Sequence, residues 1–193
     1  MEYPRIAPMM NPLMSPLAAM TASWEGRDNA MLASGIVGAS IVPESPRVLV
    51  LVGKEHLTHR LIEGSGCFAL CFLRRDQLAL ARTLGFVSGH AREKLAGVAV
   101  ERRTTGAPVL SDCFGFLDCR VVNAMDTGDQ TALLADVVDG DVLLPGEPLT
   151  WPGMRTFMPK EWMTEFRAMF EGELAYSRRA MGEVRRQGWP LVR

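Results

Sequence analysis

Asn29-Ala-Met-Leu-Ala-Ser-Gly-Ile-Val-Gly-Ala-Ser40 and, further on, Gly53-Lys-Glu-His-Leu-Thr58 are the two stretches on which the reading of this chain turns. The first carries no charge and is built of small residues. Such residues let a backbone approach a flat ring closely, and Ser34 and Ser40 offer hydroxyls. The second directly follows the unbroken apolar run Arg47–Val52, a buried strand. It sets a cation, an imidazole and a hydroxyl at the start of a short helix, where backbone N–H groups and the helix dipole favour an anion such as phosphate. A third segment, Ser88-Gly-His-Ala-Arg-Glu-Lys94, is a second cationic loop. Taken singly, each has a plainer reading: a packed or capping serine, a solvated lysine, a surface histidine. Taken together they describe one site, with a planar aromatic group lying along backbone and a phosphate held by Lys54 and Thr58.

Outward from these stretches the chain is mainly strands with helices inserted between some of them. Leu17–Trp24 reads as a strand ended by the turn Glu25-Gly26-Arg27-Asp28. Thr58–Glu63 reads as a short helix with Thr58 as its N-cap, stopped by Gly64-Ser65-Gly66. Cys67–Leu73 is a second buried strand. Asp76 is placed to cap a helix carrying Leu78, Leu80, Ala81 and Leu84, ended by Gly85. Val98–Val100, Phe114–Val122 and Thr131–Val138 read as three further strands. Steady β-α alternation and a glycine fingerprint after the first strand are both missing, which excludes a Rossmann sheet. Beyond Pro159 the composition becomes charged and rich in Met, Glu, Arg and Ala. Lys160–Arg186 reads as a helix with Trp162, Phe166, Met169 and Phe170 on one face. That face must be buried, either on its own barrel or on a partner subunit, and the partner is slightly favoured. The expected division is an extended, proline-spaced arm at 1–16, a main domain at 17–150 and a helical extension at 151–193.

The 193 residues are 48% hydrophobic and 22% charged, with a formal net charge of −1. That balance suits one ordinary globular domain and excludes a general affinity for nucleic acid or acidic membranes. Arg102-Arg103 and Arg185-Arg186 accordingly read as solvated surface. No segment is long and apolar enough to span a bilayer. The apolar stretch from Ile6 to Ala22 is broken by Pro8, Pro12 and Pro16 and follows Glu2 rather than a basic start, so a cytoplasmic protein without a signal peptide is expected. Cys67, Cys71, Cys113 and Cys119 form no CxxC pair, and no histidine stands at a zinc-site spacing, so no metal is expected. They read as reduced core thiols, with a redox-active or interface thiol as the alternative.

The stretch Thr21-Ala-Ser-Trp-Glu-Gly-Arg-Asp-Asn-Ala-Met-Leu-Ala-Ser34, followed by Ser40 and Pro46, resembles the opening of the flavin reductase-like family of FMN-binding split β-barrels. The likeness continues through Lys54-Glu-His-Leu-Thr58 with Leu61-Ile62, Gly66-Cys-Phe68, Gln77, Leu80-Ala81, Ser88-Gly89 with Lys94, and Thr127-Gly-Asp129. The resemblance implies a split barrel with a C-terminal helical extension, working as a homodimer with FMN (FAD is the lesser alternative) near the subunit interface. It implies that Met31, Leu32, Ala33 and Ser34 line the flavin ring and ribityl chain. Ser40, Lys54, His56 and Thr58 would surround the ribityl and phosphate, and Ser88, Gly89 and Lys94 would close the site. No catalytic side chain is implied, because the hydride chemistry belongs to the cofactor. Two positions depart from the family pattern: Cys71 stands where asparagine is common, and Gln130 where a histidine on the nicotinamide side is common. The segment 54–58 is closer to the flavoredoxin branch, whose members hold FMN and pass electrons onward.

Three functions are in competition. The leading one is an FMN-dependent oxidoreductase that takes electrons from NADH or NADPH to a flavin, iron or protein acceptor. The second keeps FMN but drops the nicotinamide, making an electron-transfer protein, which Gln130 favours. The third is a dimeric interaction domain with no enzymatic role.

Overall fold

Seven strands form one antiparallel sheet in the order β2-β1-β5-β8-β9-β4-β3 in the computed structural model, which describes residues 16–181. Apart from Pro16, the expected N-terminal arm lies outside these residues, as does the chain from 182 on, including Arg185-Arg186. The strands are β1 (Ala18–Trp24), β2 (Arg27–Ala33), β3 (Ile36–Gly38), β4 (Arg47–Gly53), β5 (Cys67–Phe72), β8 (Gly115–Asp126) and β9 (Gln130–Val142). A separate two-stranded ribbon pairs β6 (Val100–Arg102) with β7 (Pro108–Leu110). The helices are α1 (Leu57–Ser65), α2 (Leu78–Gly85), α3 (Trp151–Phe157) and α4 (Lys160–Ala180). The result is mainly β with inserted helices, as the sequence predicts.

The sheet curls because β8 and β9 are long and irregular: their register shifts at Asp118/Cys119 and again at Val121/Asn123. Each shift adds local twist, which bends a long hairpin into a half-barrel. Inside the curl, Met20, Val50, Val52, Phe68, Leu70 and Leu133 are buried together, closed at one end by Leu57, Leu61 and Ile62 of α1. On the other face of the sheet, Leu17, Ala19, Cys71, Leu73 and Phe116 form a second core with α2, β7 and the C-terminal elements. Alternate residues of β1 and β5 supply the two cores, the period-two pattern of a strand buried on both faces.

Several local expectations are corrected. Thr58 does not cap α1: the N-cap is His56, with no side-chain capping bond, and Thr58 lies wholly buried inside the first turn. Gly66 ends the helix at φ 68°, a left-handed conformation that glycine takes without steric cost. Asp76 does not cap α2, whose N-cap is Gln77; the Asp76 carboxylate pairs with Arg74 at 3.1 Å. The turn after β1 is confined to Glu25 and Gly26, and β2 begins at Arg27. The strands β2, β3 and β7 and the helix α3 are elements the sequence reading did not anticipate.

The apolar face of α4 docks on its own chain rather than being left for a partner. Trp162, Met163, Phe166 and Met169 pack against the second core. Phe166 is 5.4 Å, centroid to centroid, from both Phe86 and Trp151. Arg82 of α2 binds Glu165 at 2.7 Å and lies over the Trp162 ring at 4.8 Å. The physical reason is α3, which the sequence reading missed: Thr150 caps it, and Met154 and Met158 bury themselves in the core. The start of α4 is thereby tethered to the surface it covers.

Candidate functional site

Where the end of β2, the β4–α1 loop, the residues after α2 and the face of α4 meet, they enclose an open cavity of about 460 Å³. That volume falls in the range of small-molecule and cofactor sites. Met31, Leu32 and Ser34 come from β2 and its end, Glu55 and His56 from the β4–α1 loop, and Phe86, Ser88 and Lys94 from the segment after α2. Trp151, Phe166, Phe170, Glu173 and Tyr176 complete the lining from the C-terminal helices. The loop before α1 is tied to the segment after α2 by a hydrogen bond between His90 Nε2 and the Glu55 carbonyl at 3.2 Å.

The structure brings six of the sequence-predicted residues to this cavity: Met31, Leu32, Ser34, His56, Ser88 and Lys94. Five others lie elsewhere. Ala33 belongs to the barrel core, as does Met31 two residues before it on the same face, but only Met31 also reaches the cavity. Ser40 is exposed, and its hydroxyl accepts the Val42 N–H at 3.1 Å in a turn. Lys54 Nζ donates to Asp126 Oδ1 and to the Gly128 carbonyl, both at 2.6 Å, so it is held by the β8–β9 hairpin. It lines a separate groove with His59 and Thr131. Thr58 accepts a hydrogen bond from Asn29 Nδ2 at 2.9 Å in the interior. Gly89 lines a neighbouring polar groove and packs so tightly on Asn29 that a Cβ there would meet the amide at 2.5 Å. The expected Lys54–Thr58 phosphate pair is therefore not formed at the cavity.

Lys94 is the lysine that the cavity does present. It is 4% exposed, and Nζ donates to the Leu84 carbonyl at 2.7 Å, which among the described residues leaves two of its three N–H donors for a ligand. Burial pushes it down to about 8, against some support from the Glu173 carboxylate. His56 is pushed down to about 4, first by burial and then by the charges of Lys94, His59 and His90, so it is neutral near pH 7. Its Nε2 lies 3.4 Å from Glu55 Oε1 and 3.6 Å from Glu173 Oε1. Glu173 is pushed up to about 7, chiefly by burial and next by the Glu55 charge. Glu55 is raised by burial as well, and its Oε2 is buried with no hydrogen-bond partner among the described residues.

The residues fit a flavin ring and its polar chain. Leu32, Phe86 and the aromatic side chains of α3 and α4 give apolar walls, Ser34 and Ser88 give hydroxyls, and Lys94 gives a cation. Glu55 Oε2, unpartnered among the described residues, is available to accept from a donor N–H. Glu55 and Glu173 are the functional residues that sequence reading missed. Glu55 was visible within the 53–58 motif, whereas nothing sets Glu173 apart on a helix rich in charge.

An antiparallel half-barrel with an apolar cavity at its side and a few convergent polar groups is the architecture of a flavin-binding protein of the split-barrel class. Residues 9–157 match the model of the flavin reductase like domain. The chain belongs to this family. It is 31% identical over 137 residues to the reductase component of a 4-nitrophenol 4-monooxygenase/4-nitrocatechol 2-monooxygenase from Rhodococcus opacus, covering 71% of this chain and 70% of that one. It is 31% identical over 137 residues to the high molecular weight rubredoxin of Moorella thermoacetica, covering 70% of this chain. The chain spans 59% of that rubredoxin and about a quarter of two cyanobacterial diflavin flavoproteins that it also matches. Among solved structures, a putative flavin reductase from Haemophilus somnus superposes with a TM-score of 0.69 at 20% identity, covering 78% of this chain and 94% of that one.

Proposed function

We propose that this protein is an FMN-dependent oxidoreductase that takes electrons from NADH or NADPH and passes them to a flavin, an iron chelate or a protein acceptor. The observation that carries this reading is the meeting of Met31, Leu32 and Ser34 with Ser88 and Lys94 around one cavity of cofactor size. Bound FMN supplies the ring that accepts a hydride. The chain's own part is positional and electrostatic. Leu32 and Phe86 offer apolar surface to a ring, Ser34 and Ser88 offer hydroxyls to polar edges, and Lys94, itself almost wholly buried, offers charge to an anionic group.

The working form is a homodimer located in the cytoplasm. Val37, Leu51 and Met125 are exposed on β3, β4 and β8, with β9 lying between the last two and half-buried Leu49 and Leu134 among them. These residues occupy the outer face of the sheet, opposite the barrel core, and a second copy covering them supplies the burial they lack. Among the described residues no helix is long and apolar enough to cross a membrane.

The direct test mixes purified protein with FMN and follows NADH and NADPH oxidation. Bleaching of the bound flavin by either nicotinamide supports the reading. Tight FMN that only dithionite reduces supports the electron-transfer alternative. The sequence argument for that alternative was Gln130, which lies opposite Gly53 at the start of β9, away from the described lining of the cavity. Its difference from histidine therefore does not alter this cavity within one chain.

A further inference from the structure

We infer that α4 is a hinged lid over the cavity, turning at Met158–Pro159 to let the flavin in and out and held shut by a clasp that lies outside the cavity. This rests on the function proposed above and adds to it the control of flavin exchange. The lid belongs to the part of the chain beyond residue 157, where the match to the family ends.

Three observations converge. First, the two C-terminal helices are attached differently. α3 is anchored: Met154 and Met158 are buried, and the Leu149 N–H just before the helix donates to the Leu73 carbonyl at 2.7 Å. α4 has 21 residues and not one of them is buried. Second, a break separates the two. Met158 (φ −67°, ψ 129°) and Pro159 (φ −54°, ψ 144°) are extended, and proline has no N–H to carry the helical ladder across. A short link at the end of a fixed element, followed by a loosely held one, is the usual form of a hinge. Third, part of what holds α4 down lies apart from what it covers. Arg82 of α2 binds Glu165 at 2.7 Å and lies over the Trp162 ring at 4.8 Å, and none of these three residues lines the cavity. The α4 side chains that do line it, Phe166, Met169, Phe170, Glu173 and Tyr176, follow further along the helix.

The other walls of the cavity are fixed. β2 is paired with β1 along its whole length, and the β4–α1 loop is tied to the segment after α2 through His90 and the Glu55 carbonyl. α4 is the wall that can move, since a helix whose apolar side chains are only partly buried loses little burial by swinging away, and local openings of that kind cost far less than unfolding a barrel. In the closed position the stacked Phe166 and Phe170 stand at the side of the cavity, and the Glu173 carboxylate lies 3.6 Å from His56 Nε2. The clasp is outside the cavity, so it is the same with and without a flavin inside. Weakening it raises the open fraction of the empty and the loaded protein by one factor. Entry and exit then quicken together and the equilibrium affinity is kept. A rigid wall behaves otherwise: a lost contact to the flavin quickens exit alone and weakens affinity.

Stopped-flow quenching of FMN fluorescence gives the association rate, and fluorescence recovery after rapid dilution of the FMN-loaded protein gives the dissociation rate. Trp162→Ala removes the ring beneath Arg82. Glu165→Arg sets a second cation against Arg82 at a position near the surface, so it tests the clasp without opening the core. Trp162→Ala is expected to raise both rates by about tenfold and Glu165→Arg by about fivefold, with the FMN Kd within about twofold of the parent in each. Unchanged rates in both variants, or faster dissociation with unchanged association and a weaker Kd, overturn the lid while leaving the flavin site standing. An unaltered protein that binds no FMN overturns the flavin site itself, and the lid with it.

Discussion

The Asn29 side chain joins β2 to α1 by donating to Thr58 Oγ1, and the two residues are 2% and 0% exposed. Asn29→Ala leaves a buried hydroxyl without its partner, at a cost of about 1–3 kcal/mol, which chemical denaturation will register as a lower midpoint at constant slope. Gly89→Ala drives a methyl into the same amide and is expected to destabilise the chain by a similar amount. The cavity's titrating groups make stability depend on pH in opposing ways. The folded-state value of His56, about 4, lies below its ordinary 6.5, so its contribution is present above 6.5 and lost as pH falls toward 4. The folded-state value of Glu173, about 7, lies above its ordinary 4.5, so the folded protein loses stability as pH rises from 4.5 through 7. Glu173→Gln removes that loss. The variant is expected to be more stable than its parent by about 1–2 kcal/mol at pH 8, after discounting for the solvent-exposed part of the side chain, and to match it below about pH 4.5. Thermal melts across that range check the sign. At this scale the sequence was least legible. Lys54 and Thr58 occur where the motif suggests an anion site, but Lys54 meets its partners, Asp126 and Gly128, only through the folding of a distant hairpin. The partner of Thr58 is set by the pairing of β2 with β1, which no local pattern reveals.

Elements whose burial is continuous were readable. The run 67–72 is apolar from end to end because both faces of β5 are largely covered, whereas 48–52 is equally apolar although only alternate residues of β4 are buried; both lengths match a strand rather than a helix. By contrast, β2 was not read as a strand, because Arg27 and Asp28 looked like turn and the rest like a small-residue segment, and β7 is only three residues long and holds a proline. The helical period of α4 was plain, but its destination was not. A face of Trp162, Phe166 and Met169 says that something must cover it, and only the three-dimensional path through α3 says that the cover is the same chain. Phe166→Ala removes the ring that touches Phe86, Trp151 and Phe170 together. A loss of about 2–3 kcal/mol is expected, below that of a fully buried phenylalanine. Amide exchange should accelerate along residues 160–180 while the β-sheet keeps its protection. Equal acceleration throughout the sheet would show that α4 is an integral part of the barrel core rather than a docked cover.

For the whole molecule, the curled sheet leaves one apolar face outside and one cavity at the side, and the two carry separate consequences. Leu51→Asp places a charge in the middle of the outer face, between β3 and β9, without touching the barrel core. The unaltered protein is expected to sediment as a dimer and the variant as a monomer, since an unpaired charge in an apolar interface costs several kcal/mol. A variant that remains dimeric moves the interface elsewhere. The fold class was legible from the order of strands and turns, because six strand-like segments with few helices leave little besides a barrel or sandwich. The cavity was half legible, since the small-residue stretch around residues 31–34 and the loop around residues 88–94 are local signals while the acidic corner belongs to α4. Whether this cavity holds a flavin is decided by titrating the purified protein with FMN and reading the quenching of flavin fluorescence, alongside mass identification of anything released when the protein is denatured. One FMN per chain, with affinity weakened in Lys94→Ala, is the result expected. A protein that releases no flavin and leaves FMN fluorescence unquenched at saturating concentration would contradict it.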